Sequence, residues 1–216
     1  MPERPLRGAA REYSRNRSRD RQHSQPQPDG AAVRLATAEG ALFQPKRDST
    51  APVYAIQDSL FRSFEPGDTR VAAWTKRLVL RGKTYIYPWK YRQTVWTNAN
   101  PEYETVMRMA EMYLIRAEAR ARVGDAAGAA ADLNLVRQRA GLGPVDPNIG
   151  IIDAVMHERR VEFFSEWGHR WMDLKRTGMA DGVLGGKAGW KATDALYPIP
   201  ASELLANPNL TQNNGY

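Results

Sequence analysis

The side chains with the most chemistry in them gather between positions 157 and 176. His157-Glu158-Arg159-Arg160-Val161-Glu162-Phe163-Phe164 is followed by Glu166, then by Gly168-His169-Arg170-Trp171-Met172-Asp173-Leu174-Lys175-Arg176. A His-Glu pair invites a zinc-hydrolase reading, in which a second histidine four positions on shares the metal. That position is Val161, so the pattern fails. Glu166, His169 and Asp173 offer another arrangement, as ligands of a divalent ion or as an acid–base set. The competing reading is an ion-pair network, and it is preferred. Glu158, Glu162 and Glu166 are spaced by four and form one row if the helix runs from about Ile151 to Trp167. Arg159, Arg160, Arg170 and Arg176 are close enough in sequence to answer them. Phe163, Phe164 and Trp167 flank the row, and charges half buried among aromatics need partners. Glu158, Arg159, Glu162, Glu166, Arg170 and Asp173 are therefore assigned to a structural network. No catalytic residue, metal ligand or cofactor is assigned. No phosphate-cradling glycine loop, GxSxG elbow or dinucleotide fingerprint is found either.

The elements that must position this stretch precede it. Val106, Met109, Ala110, Tyr113, Leu114, Ala117 and Ala121 follow the spacing of one buried helical face, with Arg108, Glu111, Glu118 and Arg122 left to water. Gly124 is placed to end that helix in the left-handed conformation and Asp125 to cap the next. A second helix carries Ala126, Ala127, Ala129, Ala130, Leu133 and Val136 and stops at Gly141. The short connection makes the pair antiparallel, with small Ala110, Ala117 and Ala130 on the facing sides. Glu104 to Gly141 is close to one tetratricopeptide-type unit, and no second copy occurs. A lone unit needs other material to pack on, so self-association of the chain is expected.

Composition sets outer bounds. The 216 residues carry a net charge of +7 and no cysteine, which excludes disulfides, thiolate nucleophiles and cysteine metal sites. No apolar run approaches the roughly 18 residues that span a bilayer, and no secretory leader or lipidation cysteine is recognised. Residues 1–34 hold eight arginines against Glu3, Glu12, Asp20 and Asp29. With few apolar residues and no period, residues 1–44 read as a disordered basic segment outside the fold, and 45–216 as one domain. A nucleic-acid arm is the rival reading; only Tyr13 interleaves the arginines, and no nucleic-acid partner is expected.

Between them, Leu78-Val79-Leu80 and Tyr85-Ile86-Tyr87 flank Arg81-Gly82-Lys83-Thr84 and predict a short β-hairpin. Phe61, Phe64, Trp74, Trp89, Tyr91 and Trp96 suit either stacking on sugar rings or plugging a core poor in regular structure, and plugging is preferred. Beyond Gly178 a glycine-rich connection leads to Leu196-Tyr197-Pro198-Ile199-Pro200, a helical turn over 201–206, and an extended polar end lying on the body. The fold class is mainly α: a tetratricopeptide-type hairpin with further helices, a short β-hairpin and long irregular segments.

Met107 to Ala119 and Leu133 to Leu142 resemble the signature helices of the SusD/RagB family of outer-membrane nutrient-binding lipoproteins. So do His157 to Phe163 with Gly168 to Arg176, and Leu196 to Pro200 with Asn207 to Gln212. Asp68-Thr-Arg70 and Tyr87-Pro-Trp-Lys-Tyr-Arg92 also fit. The resemblance covers about residues 45–216 and matches the C-terminal portion of a longer protein. It implies non-catalytic binding of an oligosaccharide, or another nutrient, on the outer face of the outer membrane. Import then follows through a SusC-type TonB-dependent transporter. The family's ligand-contacting aromatics do not carry over residue by residue; Trp89 and Trp96 are the local candidates. An intracellular helical adaptor for a protein or nucleic-acid partner is the alternative, and a hydrolase using Glu166 and Asp173 stands third.

Overall fold

The computed structural model describes residues 37–93 and 102–216. Its centre is the antiparallel pair α4 (Met109–Arg122) and α5 (Ala126–Arg139), joined through Gly124 at φ +88° and capped by Asp125, whose Oδ1 accepts from Gly128 N at 2.8 Å. Both signals were legible in the Gly-Asp pair. Helix α6 (Ile151–Glu162) lies across the pair. Ala110, Leu114 and Ala117 of α4 meet Leu133 and Val136 of α5 and Val155 of α6 in the main core. Leu114 and Leu133 are fully buried, each contributing roughly 1.5–3 kcal/mol.

Six further helices and the hairpin surround this centre among the described residues. In chain order they are α1 (Ala38–Phe43), α2 (Asp58–Phe61), α3 (Thr69–Trp74), α7 (His169–Arg176), α8 (Ala180–Leu184) and, after a 3-10 turn at Ala192–Ala195, α9 (Ala201–Ala206) as the last of them. Strands β1 (Thr75–Leu80) and β2 (Lys83–Pro88) pair antiparallel, from Thr75 opposite Pro88 to Leu80 opposite Lys83. The turn is only Arg81-Gly82, both at positive φ, the mirror-image turn whose twist matches the strands. A second apolar cluster, Phe64, Val161 and Phe164 with Leu60, Val71 and Trp74, joins α2, α3 and α6. Phe64 and Trp74 thus plug a core, as preferred for the aromatics of this region. The architecture is mainly helical with one two-stranded sheet. No helix among the described residues is long and apolar enough to cross a membrane.

Several expectations are corrected. The first long helix starts at Met109, because Arg108 is extended at φ −130° and its side chain is drawn toward α6. Val106 and Met109 are consequently exposed rather than buried. Ala129, not Ala130, is the fully buried alanine of α5. Helix α6 ends at Glu162, a turn earlier than Trp167, where Phe163 caps it and Ser165, Trp167 and Gly168 take positive φ. That reversal lets both Phe163 and Phe164 be buried. Residues 38–43, assigned above to the disordered segment, form α1. Gln44 anchors it by donating to Pro88 O at 3.2 Å and Tyr91 O at 2.7 Å. Residues 1–36, which carry the rest of that expectation, lie outside the described residues.

The polar end behaves as expected. Gln212 exchanges two hydrogen bonds with the Ile199 backbone, and Asn213 donates to Tyr197 O.

Candidate functional site

Helix α6 offers its carboxylates between the two apolar clusters, and the rest of the chain converges there with cations. Arg70, at the start of α3, donates Nη1 to Glu158 at 2.5 Å and to Glu162 at 2.9 Å, while its Nε and Nη2 grip Asp68. Arg139, at the end of α5, reaches both oxygens of Glu162 at 2.6 Å. Arg108 also binds Glu162 and reaches Glu166 at 3.0 Å. Lys90 donates to Glu166 at 2.5 Å and to the Glu162 carbonyl at 2.7 Å. Arg137 forks onto Glu65 and lies 3.6 Å from Glu158. The indole of Trp74 sits among these cations, with Lys90, Arg139 and Arg108 at 4.4, 5.4 and 5.7 Å from its centroid.

The electrostatics follow the number of partners. Burial pushes the Glu162 carboxyl up, but Arg108 and Arg139 outweigh it and hold it down to about 2. Burial dominates at Glu158, which rises above its ordinary value: its main guanidinium, Arg70, is shared with two other acids and Glu162 repels it. Lys90 is depressed to about 8, chiefly by burial, against the pull of Glu166.

A second network ties α7 to α4. Asp173 binds Arg159 at 2.9 Å and Arg176 at 2.7 Å, and Arg176 continues to Glu118 at 2.6 Å. Arg122 joins from the next turn, and the Arg176 hydrogen bond leads in holding Glu118 down to about 2. Glu118 is therefore buried, contrary to its assignment to water: its partner comes from another helix.

Of the six residues assigned to a network, Glu158, Glu162 and Glu166 share one cage and Arg159 and Asp173 another. Glu166 is on the turn after α6 rather than in a helical row. Arg170 is the exception, making no ion pair or hydrogen bond among the described residues. It lines a cavity instead, where burial and the neighbouring Arg160 charge lower its affinity for a proton. Arg160 also misses the acids and donates to Ser59 O. Glu166, His169 and Asp173 do not share a centre, since His169 stacks on Phe163 at 4.7 Å while the two acids are held by different cations.

The cations that sequence proximity missed are Arg70, Lys90, Arg108, Arg137 and Arg139. All five already stood inside the matched motifs, Arg108 in Met107 to Ala119 and Arg137 and Arg139 in Leu133 to Leu142, which was the available signal. Trp89 ends the hairpin half buried, its backbone N–H donating to Trp74 O, with the Tyr87 ring edge-on and Lys76 at 4.0 Å over its face. Trp96 lies outside the described residues.

A scaffold helix locked by buried ion pairs, carried on one tetratricopeptide-like hairpin, describes the class of architecture. The sequence matches the SusD family over residues 72–193, and the chain belongs to that family. It is similar to SusD-like protein P38 of Formosa agariphila, 33% identical over 122 residues, 51% of this chain and 24% of that protein. It is also similar to starch-binding protein SusD of Bacteroides thetaiotaomicron, 35% identical over 51% of this chain and 21% of that protein. The chain thus matches less than a quarter of the length of these curated relatives. Among solved structures, surface glycan-binding protein A from Bacteroides thetaiotaomicron superposes with a TM-score of 0.63 at 25% identity, over 82% of this chain and 46% of that one.

Proposed function

We propose that this chain takes part in the non-catalytic capture of an oligosaccharide, or another nutrient, at the outer face of an outer membrane. The captured ligand passes to a SusC-type TonB-dependent transporter. The observation carrying this reading is family membership together with a starch-binding relative and a glycan-binding structural neighbour. The geometry agrees with it. The clustered carboxylates of α6 are neutralised by fixed cations, an arrangement suited to holding a rigid surface in place, and equilibrium binding needs no bond making.

Trp89 and Trp96 are the proposed stacking residues. Trp89 directly follows β2, its ring held by the edge-on Tyr87 ring and by Lys76 over one face. Affinity electrophoresis through gels containing soluble starch, other neutral polysaccharides or polygalacturonate tests this. At least one polysaccharide is expected to retard the chain, and Trp89→Ala or Trp96→Ala to weaken that retardation. Unretarded migration through every gel overturns the capture reading; retardation unchanged in both variants removes these two tryptophans from it.

A further inference from the structure

Turning α6 by two residues moves from the acid row to Arg160, about 200° away on the opposite side of the helix. This side borders a cavity of about 340 Å³, within the size range of small-molecule sites. Three cations line it: Arg160 from α6, Arg170 from α7 and the exposed Lys187 from the glycine-rich connection. No aspartate or glutamate does so among the described residues. Phe43 of α1 and Tyr54, packed edge-to-face at 6.0 Å, add an aromatic wall, and Phe164 lines the cavity as well.

The contrast with the rest of the molecule makes this informative. The other arginines set against the α6 and α7 carboxylates, Arg70, Arg108, Arg137, Arg139, Arg159 and Arg176, each have a carboxylate in contact. Arg170 has none, and Asp173, three positions along its own helix, is engaged by Arg159 and Arg176. Arg160 spends one nitrogen on Ser59 O and keeps the rest. Both guanidinium groups are half-buried at the cavity wall with no carboxylate in contact among the described residues, and burial and the Arg160 charge outweigh the more distant pull of Asp173 on Arg170.

We propose that this cavity binds an acidic sugar, seating the carboxylate of a uronic acid residue between Arg160 and Arg170 and the sugar ring against Phe43 and Tyr54. Paired arginines present forked donors that match a planar carboxylate. Lys187 adds a third, more mobile charge. The inference rests on the sugar-capture reading above and specifies which sugars are taken.

Isothermal titration of the full chain with trigalacturonic acid, maltotriose and a sulfated galactose disaccharide tests it. Trigalacturonate is expected to bind, and Arg170→Gln to weaken it about ten-fold or more while leaving maltotriose unchanged. Arg170 has no partner to lose, so the variant is expected to keep the parent's circular dichroism spectrum and Tm. Lys187→Gln, at an exposed position, gives a milder loss of about two- to five-fold and stands in should Arg170→Gln misfold. Trigalacturonate bound equally well by both variants, or not bound while maltotriose is, overturns the acidic-sugar site and leaves the capture reading standing. Arginine-dependent binding of the sulfated disaccharide without trigalacturonate overturns the choice of carboxylate. Binding of none of the three overturns the acidic-sugar site, and the gel assay decides the capture reading separately.

Discussion

The two sides of α6 treat charge in opposite ways. On one side Glu158 and Glu162 are sealed among Arg70, Arg108 and Arg139, drawn from three other parts of the chain. On the other, Arg160 meets Arg170 across a cavity with no acid in its wall among the described residues. Only the first arrangement is closed. A buried carboxylate with several guanidinium partners is tied into the fold, and removing it strands every partner at once. A cation left half-buried without a counter-ion adds nothing to stability and stays available to something from solution. One helix therefore separates a fixing face from a receptive one.

Four measurements break or sharpen that comparison. The largest effect belongs to Glu162→Ala, which leaves Arg70, Arg108 and Arg139 short of an acceptor. A loss of about 3–5 kcal/mol is expected from urea unfolding, and a loss under about 1 kcal/mol would make the two faces equivalent. Acid comes next. Glu162 and Glu118, both held down to about 2, supply stability that is complete above their ordinary value of 4.5 and drains as pH falls toward 2. Tm is expected to drop steeply across that window, and a flat profile denies that the pairs are formed.

Lys90 acts in the opposite range and more weakly. Its proton is held less tightly in the folded chain than in the unfolded one, so stability from this group rises with pH from about 8 to its ordinary 10.5. Lys90→Met should abolish that rise in a Tm–pH series without flattening the acid limb. The smallest effect is Arg170→Gln, expected within about 0.5 kcal/mol of the parent by the same urea assay. A loss comparable to that of Glu162→Ala would place Arg170 in a network after all.

Much of the fold was legible because its signals are local. The 3.6-residue period, Gly124-Asp125 and Gly141 define the α4–α5 pair, and Arg81-Gly82 defines the turn between β1 and β2. The charge pairing was legible only in outline. That the α6 acids need cations follows from their aromatic neighbours; which cations answer them does not. Arg70 stands 88 residues from Glu158 and 92 from Glu162, so nearness along the chain pointed to Arg160 and Arg170 instead. Glu118 illustrates the same limit, since periodicity sends a polar residue outward unless a partner such as Arg176 covers it. The early end of α6 had little warning. Glu166 and Trp167 continue the helical pattern, and only Gly168 hints at the left-handed run through Ser165 and Trp167.

Arg70 also has a bearing on how the molecule assembles. Its guanidinium closes chain loops of 88 and 92 residues in a single clasp, and Arg108 closes another of 54 on the same carboxylate. The hairpin α4–α5 can form early from neighbours in sequence, but α6 can bury its acids only once the segment around α3 has come back to meet it. Sequence separation therefore sets docking of that segment after the hairpin, and until it docks the α6 carboxylates depend on water for their hydrogen bonds.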